Sequence, residues 1–405
     1  MLWQPSLPDV YLTMSSDELG SAIEDRRRRL GDRLVILGHH YQQDEVVRHA
    51  DFTGDSLKLS QLAADVAAER DVAYVVFCGV HFMAETADML TPESVKVILP
   101  DLSAGCSMAD MAAYDETAAA WEMIHRVLDV AGWEGRVIPI TYVNSSAVIK
   151  AFVGEHGGAC CTSSNADRVF EWAMQGGTTP RAPGEQIKIL FLPDQHLGRN
   201  TASKYGIDVA GASCVYDPKA AARGEGIGGS TPEQIIGSDV ILWAGHCSVH
   251  KLFRPEHCDE IRAADADLPE GRRPTKIIVH PECAKEVVDK ADLSGSTEFI
   301  IRAIRDSEPG DRWAVGTEVH LVDRLAAEMA PRGVEVRMLS RCQCLCTTMY
   351  RIDEPHLLWV LDGLCGVGPE GDAVPVREHN VIRVHPEIRK PALLAVDRML
   401  ELVSQ

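Results

Sequence analysis

The sequence predicts an α/β fold: three similar α/β three-layer domains with parallel sheets, in a pseudo-threefold arrangement around a central site. Three observations carry this reading. Short, largely apolar runs read as strands at Leu34–Leu37, Val72–Phe77, Val95–Leu99, Val137–Ile140, Ile187–Leu192, Val240–Trp243, Lys276–Val279, Trp313–Val315 and Val334–Leu339. Strands buried on both faces look like this, and they occur in parallel sheets covered by helices. Longer helical patterns alternate with the runs, which implies right-handed strand–helix–strand crossovers. Finally, one plan repeats three times, each copy opening with a strand that ends in a polar triplet and closing with a strand that leads into a cysteine.

Length and composition narrow the classes. The chain has 405 residues, which suggests two or three domains. It is 45% hydrophobic and 25% charged, as expected for a soluble globular protein. Its formal net charge of −20 argues against nucleic acid as a partner, so an anionic substrate must be held by local donors and helix N-termini. The first residues lack a basic region followed by an apolar run, and no apolar run approaches a membrane span. No membrane association and a cytoplasmic location are therefore expected. In a reducing compartment, 12 cysteines suggest metal ligation or redox chemistry more than disulfides.

Along the chain, Ser15 to Asp17 and Glu18 form a capping signature for a first helix, which runs through Arg26–Arg29 to Gly31. The arginines suit the C-terminal end of the helix dipole. The expected domains are residues 1–112, 113–252 and 253–351, with 352–405 a C-terminal helical extension packing on the core and, more specifically, on the first domain. In that extension helical periodicity is clearest over Ala392–Leu402, with Pro391 placed to start the helix. Breaks at Arg181–Gly184, Arg223–Pro232 and Asp265–Pro274 read as loops.

The repeat has chemical content. Its triplets are His39-His40-Tyr41, Tyr142-Val143-Asn144 and His280-Pro281-Glu282, and its hydroxyl clusters are Asp55-Ser56, Thr162-Ser163-Ser164 and Ser296-Thr297. Each hydroxyl cluster is placed where a helix should begin, so hydroxyls and backbone N–H groups can together hold carboxylate or phosphate. One cluster alone would be an ordinary cap; three in register suggest ligand binding. Cys106, Cys247 and Cys346 close the copies, at 67, 105 and 66 residues from the first residue of their triplets. Three thiolates suit an iron–sulfur cluster with one open iron better than structural zinc, which takes four protein ligands. Cys78 reads as a buried small residue, and Cys160 and Cys161 as neighbours at a helix start. A metabolite sensor, a zinc hydrolase and an aconitase-type hydro-lyase stay open on these residues alone.

The motifs GHHYQ, GDSL, CGVHFMAETA, AGCSMAD, TYVNSSA, CTSSNAD, LPDQHLGRN, HCSVH, HPEC, SGSTEFI and CTTMYRIDEPHLLW, in this order, resemble the quinolinate synthase family, iron–sulfur enzymes of NAD biosynthesis. The resemblance runs from about Leu34 to about Leu358. It implies three α/β domains around a central [4Fe–4S] cluster ligated by Cys106, Cys247 and Cys346. It also implies condensation of iminoaspartate with dihydroxyacetone phosphate to quinolinate, phosphate and two waters. Matched position by position, it implies a substrate-facing set of His39, Tyr41, Ser56, Tyr142, Asn144, Ser163, His250, His280, Glu282, Ser296, Thr297 and Thr348. Within this set Glu282 is expected as general base, with Tyr41, His39, Tyr142 and His280 as further catalytic groups. Thr348-Met349 after Cys346 fits the family's Cys-x-Thr-Met; the extra Cys342 beside Cys344 departs from its pattern. Unstable iminoaspartate would favour a handoff from L-aspartate oxidase, although no sequence feature marks a surface for it.

Overall fold

The computed structural model describes residues 4–341 and 344–404. Two compact units divide the chain: Met1–Cys106 with Glu318–Arg324 and Leu345–His385, and Ser107–Thr317 with Leu325–Cys344 and Pro386–Gln405.

The first unit holds a five-stranded sheet of β1 (Leu34–His39), β2 (Phe52–Gly54), β3 (Tyr74–Cys78), β4 (Lys96–Ile98) and β14 (Val381–Ile382), in the order β14-β4-β3-β1-β2. The second unit holds two sheets. One comprises β5 (Gly135–Tyr142), β6 (Ala159–Cys161), β7 (Gln186–Leu192), β8 (Ser213–Tyr216) and β9 (Val240–Trp243), ordered β6-β5-β7-β9-β8. The other comprises β10 (Thr275–Val279), β11 (Leu293–Ser294), β12 (Arg312–Gly316) and β13 (Glu335–Met338), ordered β11-β10-β12-β13. Each sheet therefore repeats one topology, in which the first strand of a copy lies between its second and third. All pairings are parallel except that of β14 on β4. The α/β fold class with three mostly parallel sheets is thus the observed one. The apolar runs are its inner strands, except that Val334–Leu339 forms the partly exposed edge strand β13; β1, β3 and β9 are buried along their whole length.

The repeat extends to single hydrogen bonds. Asp51, just before β2, accepts the Ile36 N–H of β1 at 2.7 Å, and Asp292, just before β11, accepts the Ile277 N–H of β10 at 2.6 Å. An arginine reaches each carboxylate, Arg27 for Asp51 and Arg262 for Asp292. In the middle copy the corresponding residues are Gly158 and Pro139. Proline offers no N–H, so no carboxylate is needed. A Cβ on Gly158 would lie 1.9 Å from the Pro139 carbonyl oxygen, which requires glycine there.

The first helix, Ser16–Leu30, has the expected capping box: the Glu18 carboxylate accepts the Ser15 N–H at 2.8 Å, and the Ser15 hydroxyl accepts the Glu18 N–H. It ends at Gly31 with φ +55°, a conformation that favours glycine. Its arginines are only partly a solvated face, because Arg26 Nε donates to the buried Asp362 at 2.7 Å. The C-terminal segment divides. The helix Glu354–Cys365 packs on Ser16–Leu30, and β14 joins the first sheet. The last helix begins at Pro386, not near Pro391, which lies inside it. It packs on the helix Ala147–Glu155 and β6 of the second unit, where Arg398 donates to the carbonyls of Gly154 and Gly158 at 3.0 and 2.6 Å. The expectation that this helix covers the first domain is corrected: a glycine at 154 lets the backbone at Pro391 approach closely. Among the described residues no helix is long and apolar enough to cross a membrane.

Candidate active site

The carboxyl ends of the parallel strands carry the predicted residues, as expected for ligand sites in such sheets. In the second unit, Tyr142 ends β5, the His280-Pro281-Glu282 triplet follows β10, and Cys247 and His250 follow β9. The structure brings these groups together. His250 Nδ1 lies 2.5 Å from Glu282 Oε2, and its Nε2 lies 3.2 Å from Thr317 Oγ1. His280 stacks on His250 with ring centroids 4.5 Å apart, and the Tyr142 hydroxyl donates to the Glu282 carboxylate. His250, His280, Glu282 and Tyr142 are all at most 5% exposed.

Burial pushes the Glu282 carboxyl up, but His250 and then His280, with the His250 and Tyr142 hydrogen bonds, outweigh it and hold the group below the usual carboxylate range. Asp194, just past β7, moves the other way: burial first, then the neighbouring Glu282, push it well up against opposing backbone N–H groups. Two nearby carboxyls with divergent affinities can divide acid and base roles. Glu282 Oε1 is buried without a hydrogen-bond partner, so one oxygen of an ionised carboxylate has acceptor capacity to spare. Donor atoms of Cys247, His250 and Glu282 lie within 4.8 Å of one another, a thiol, imidazole and carboxylate set able to hold a metal.

In the first unit, His39 is buried at the end of β1, and its Nδ1 accepts the Tyr41 N–H at 3.1 Å. In the third copy, His280 Nδ1 accepts the Glu282 N–H at 3.3 Å. Equivalent histidines are thereby fixed with the proton on Nε2, as hydrogen-bond donors. Burial, then His40 and Arg324, lower His39 well below its ordinary value; burial, then His250, lower His280 to about 3. The Tyr41 ring meets His39 edge-on at 4.8 Å.

The hydroxyl clusters follow the prediction in two copies. Ser56 opens a helix capped by Asp55, and Ser296 caps the helix that Thr297 opens. The middle cluster differs: the helix starts at Ala166, and Thr162, Ser163 and Ser164 form the turn before it, tied by a 2.6 Å bond from the Thr162 N–H to Asn165 Oδ1. Ser163 and Ser296 both line a cavity of about 600 Å³ in the second unit. Asn144 is half-buried after β5. Cys106, Cys247 and Cys346 are all partly exposed, whereas Cys344 is fully buried. Cys346 Sγ lies 3.5 Å from Thr348 Oγ1; burial pushes this thiol up, and the Thr348 hydroxyl opposes the shift. Cys342 lies outside the described residues. Cys160 and Cys161 belong to β6 and not to a helix start.

The profile of the family described as Quinolinate synthetase A protein matches residues 21–401. The chain belongs to this family. A quinolinate synthase of Acidobacterium capsulatum is 50% identical over 395 residues, covering 97% of this chain and 95% of its own. One of Rhodopirellula baltica is 48% identical over 400 residues, 96% of this chain and 92% of its own, and one of a Nocardioides species is 50% identical over 376 residues, 92% and 86%.

Two buried acids, Glu318 and the Asp194 inside LPDQHLGRN, stand outside the expected site residues. Glu318, fully buried, accepts the His320 N–H at 2.8 Å and the Cys346 N–H at 3.4 Å, so it anchors the backbone of a predicted ligand. Asp194 accepts the His196 and Leu197 N–H groups at 2.7 and 2.8 Å. Their common signal is an acid two residues before a histidine, at Asp194-Gln195-His196 and Glu318-Val319-His320, each just past a strand.

Proposed function

We propose that the chain condenses iminoaspartate with dihydroxyacetone phosphate, releasing phosphate and two waters to give quinolinate, in a cytoplasmic setting. The observation that carries this reading is the buried Glu282, with Oε2 2.5 Å from His250 Nδ1 and Oε1 without a hydrogen-bond partner, beside Tyr142, His280 and Cys247. Ring formation from these two substrates needs repeated proton transfers at carbon, nitrogen and oxygen. An ionised carboxylate in a dry site suits the base. His39 and His280, as neutral Nε2–H donors, would orient substrate oxygens and stabilise developing negative charge without carrying charge themselves. Tyr41 and Tyr142 supply hydroxyls for proton relay. Ser56, Asn144, Ser163, Ser296, Thr297 and Thr348 would position carboxylates and phosphate.

The thiol, imidazole and carboxylate grouping fits a metal centre. We assign the cofactor as a [4Fe–4S] cluster with thiolates from Cys106, Cys247 and Cys346, of which Cys247 alone belongs to that grouping, supported by the equivalent places of the three cysteines in the repeat and by their partial exposure. When bound, such a cluster supplies an open iron that polarises a departing hydroxyl. Cys247, His250 and Glu282 alone would also suit a single zinc ion, the competing assignment. Anaerobic purification, iron and sulfide analysis, and visible and EPR spectra of the wild type and Cys346→Ser decide between them. Near four iron and four sulfide per chain, lost in the variant, is the expected result. A colourless protein after anaerobic reconstitution would favour zinc. A quinolinate assay with the two substrates tests the reaction itself.

A further inference from the structure

Three carbonyls at equivalent places in the three copies are each gripped by a side chain. Counted from the first triplet residue, they belong to the fourth residue of each loop: Gln42, Ser145 and Cys283. The Gln42 carbonyl accepts from Arg324 Nη1 at 2.9 Å, the Ser145 carbonyl from Lys150 Nζ, and the Cys283 carbonyl from Asn200 Nδ2 at 2.9 Å. In the first and third copies the grip is double. Arg324 also donates to the His40 carbonyl, and Asn200 to the Pro281 carbonyl at 2.8 Å, again equivalent positions.

Arg324 and Asn200 occupy like places in their own helices, Val319–Met329 and Gln195–Tyr205: each lies six residues past a fully buried acid, Glu318 or Asp194, that caps backbone N–H groups. Lys150 comes from a different place, the helix Ala147–Glu155 that directly follows its own loop, and it is wholly buried. Burying an ammonium group is costly unless it is well hydrogen-bonded, so a fold that needed only packing there would do better with an apolar residue. Arginine, lysine and asparagine have in common only that each donates. What recurs is a donor aimed at the same backbone acceptor.

We infer that Arg324, Lys150 and Asn200 are positioning residues that fix the three triplet loops and, through them, the side chains of Tyr41, Tyr142 with Asn144, and Glu282. Beyond its strand each loop leaves the ladder, and its carbonyls lose their regular partners. A second consequence is local: Tyr41 and Glu282 lie between the two gripped carbonyls of their loops, so the grip spans the residue whose side chain must be aimed. The inference rests on the catalytic reading above, and its test separates the two.

Asn200 is half-buried, and Asn200→Asp keeps its shape while replacing the donor with an acceptor that repels both carbonyls. Asn200→Ala, Lys150→Met and Arg324→Met remove donors with no new charge. Each is expected to lower kcat/KM by about 10- to 100-fold, as a loop misplaced by an ångström would, with kcat falling more than KM rises. Metal content should be unchanged. Amide hydrogen exchange should quicken in the affected loop, at Glu282 and Cys283 for Asn200, ahead of the rest of the chain. Arg324→Lys, still able to reach one carbonyl, should recover part of the loss. Lower thermal stability with normal kcat/KM per folded molecule, and exchange raised evenly along the chain, would overturn the inference. A wild type that makes no quinolinate would sink the catalytic reading while the exchange experiment still judges the grip; a variant too unstable to purify leaves the other two loops to decide.

Discussion

His250 Nδ1 lies 2.5 Å from Glu282 Oε2, with both side chains at most 3% exposed. The contact commits one carboxylate oxygen and leaves Oε1 as the atom able to take a proton. Glu282→Gln keeps the shape and removes that capacity. Turnover is expected to fall by about 10²- to 10⁴-fold, the usual worth of a positioned base. Normal turnover by a variant with its full metal complement would remove Glu282 from the role.

His39 is expected to stay neutral, with its proton on Nε2, throughout pH 6–8, because burial, then His40 and Arg324, lower its proton affinity while the Tyr41 N–H occupies Nδ1. The folded pKa lies below the unfolded one. The unfolded chain therefore binds more protons below about pH 6.5, and stability falls as pH drops through that range. Side-chain ¹⁵N spectra check this directly: a His39 signal titrating near 6.5 would contradict it. His39→Gln should lessen the stability loss toward pH 5.

His356 carries the opposite sign. Burial lowers its affinity, but the Asp353 carboxylate at 2.7 Å, with Asp101 beyond, outweighs burial and raises its pKa. Its contribution is complete below the unfolded pKa of about 6.5 and fades as pH rises through the folded value. Urea unfolding of wild type and His356→Gln should give a larger gap at pH 5.5 than at pH 8.5, modest because such partly screened pairs contribute about 1 kcal/mol or less. An equal gap at both would refute the assignment.

The strand-end carboxylates predict an asymmetry between copies. Asp292→Ala strips the Ile277 N–H of its acceptor and should cost about 1–3 kcal/mol. In the middle copy Gly158→Ala forces a Cβ against the Pro139 carbonyl oxygen, a backbone atom with little freedom to yield. Its cost should exceed that of Asp292→Ala. Thermal melts of the two variants give the comparison, and a harmless Gly158→Ala would break the argument.

Local pattern is enough to reveal part of this fold. Runs such as Val72–Phe77 are apolar on both faces, so they read as inner strands, and Ser15 with Glu18 announced a helix start through contacts three residues apart. The order of triplet, hydroxyl cluster and cysteine marks three copies in the sequence alone. The edge strands β2, β6, β11 and β14 have only two or three residues, too few to set up a period, and β8 was equally silent with four. The remaining contacts arise on packing, because their partners are far apart in sequence. His250 meets Glu282 across two different strand ends, Asn200 reaches carbonyls some 80 residues away, and the last helix settles on Gly154, not on the first sheet. Buried polar groups must find partners wherever the packed chain places them, and that choice is made by the assembled core and not by neighbouring residues.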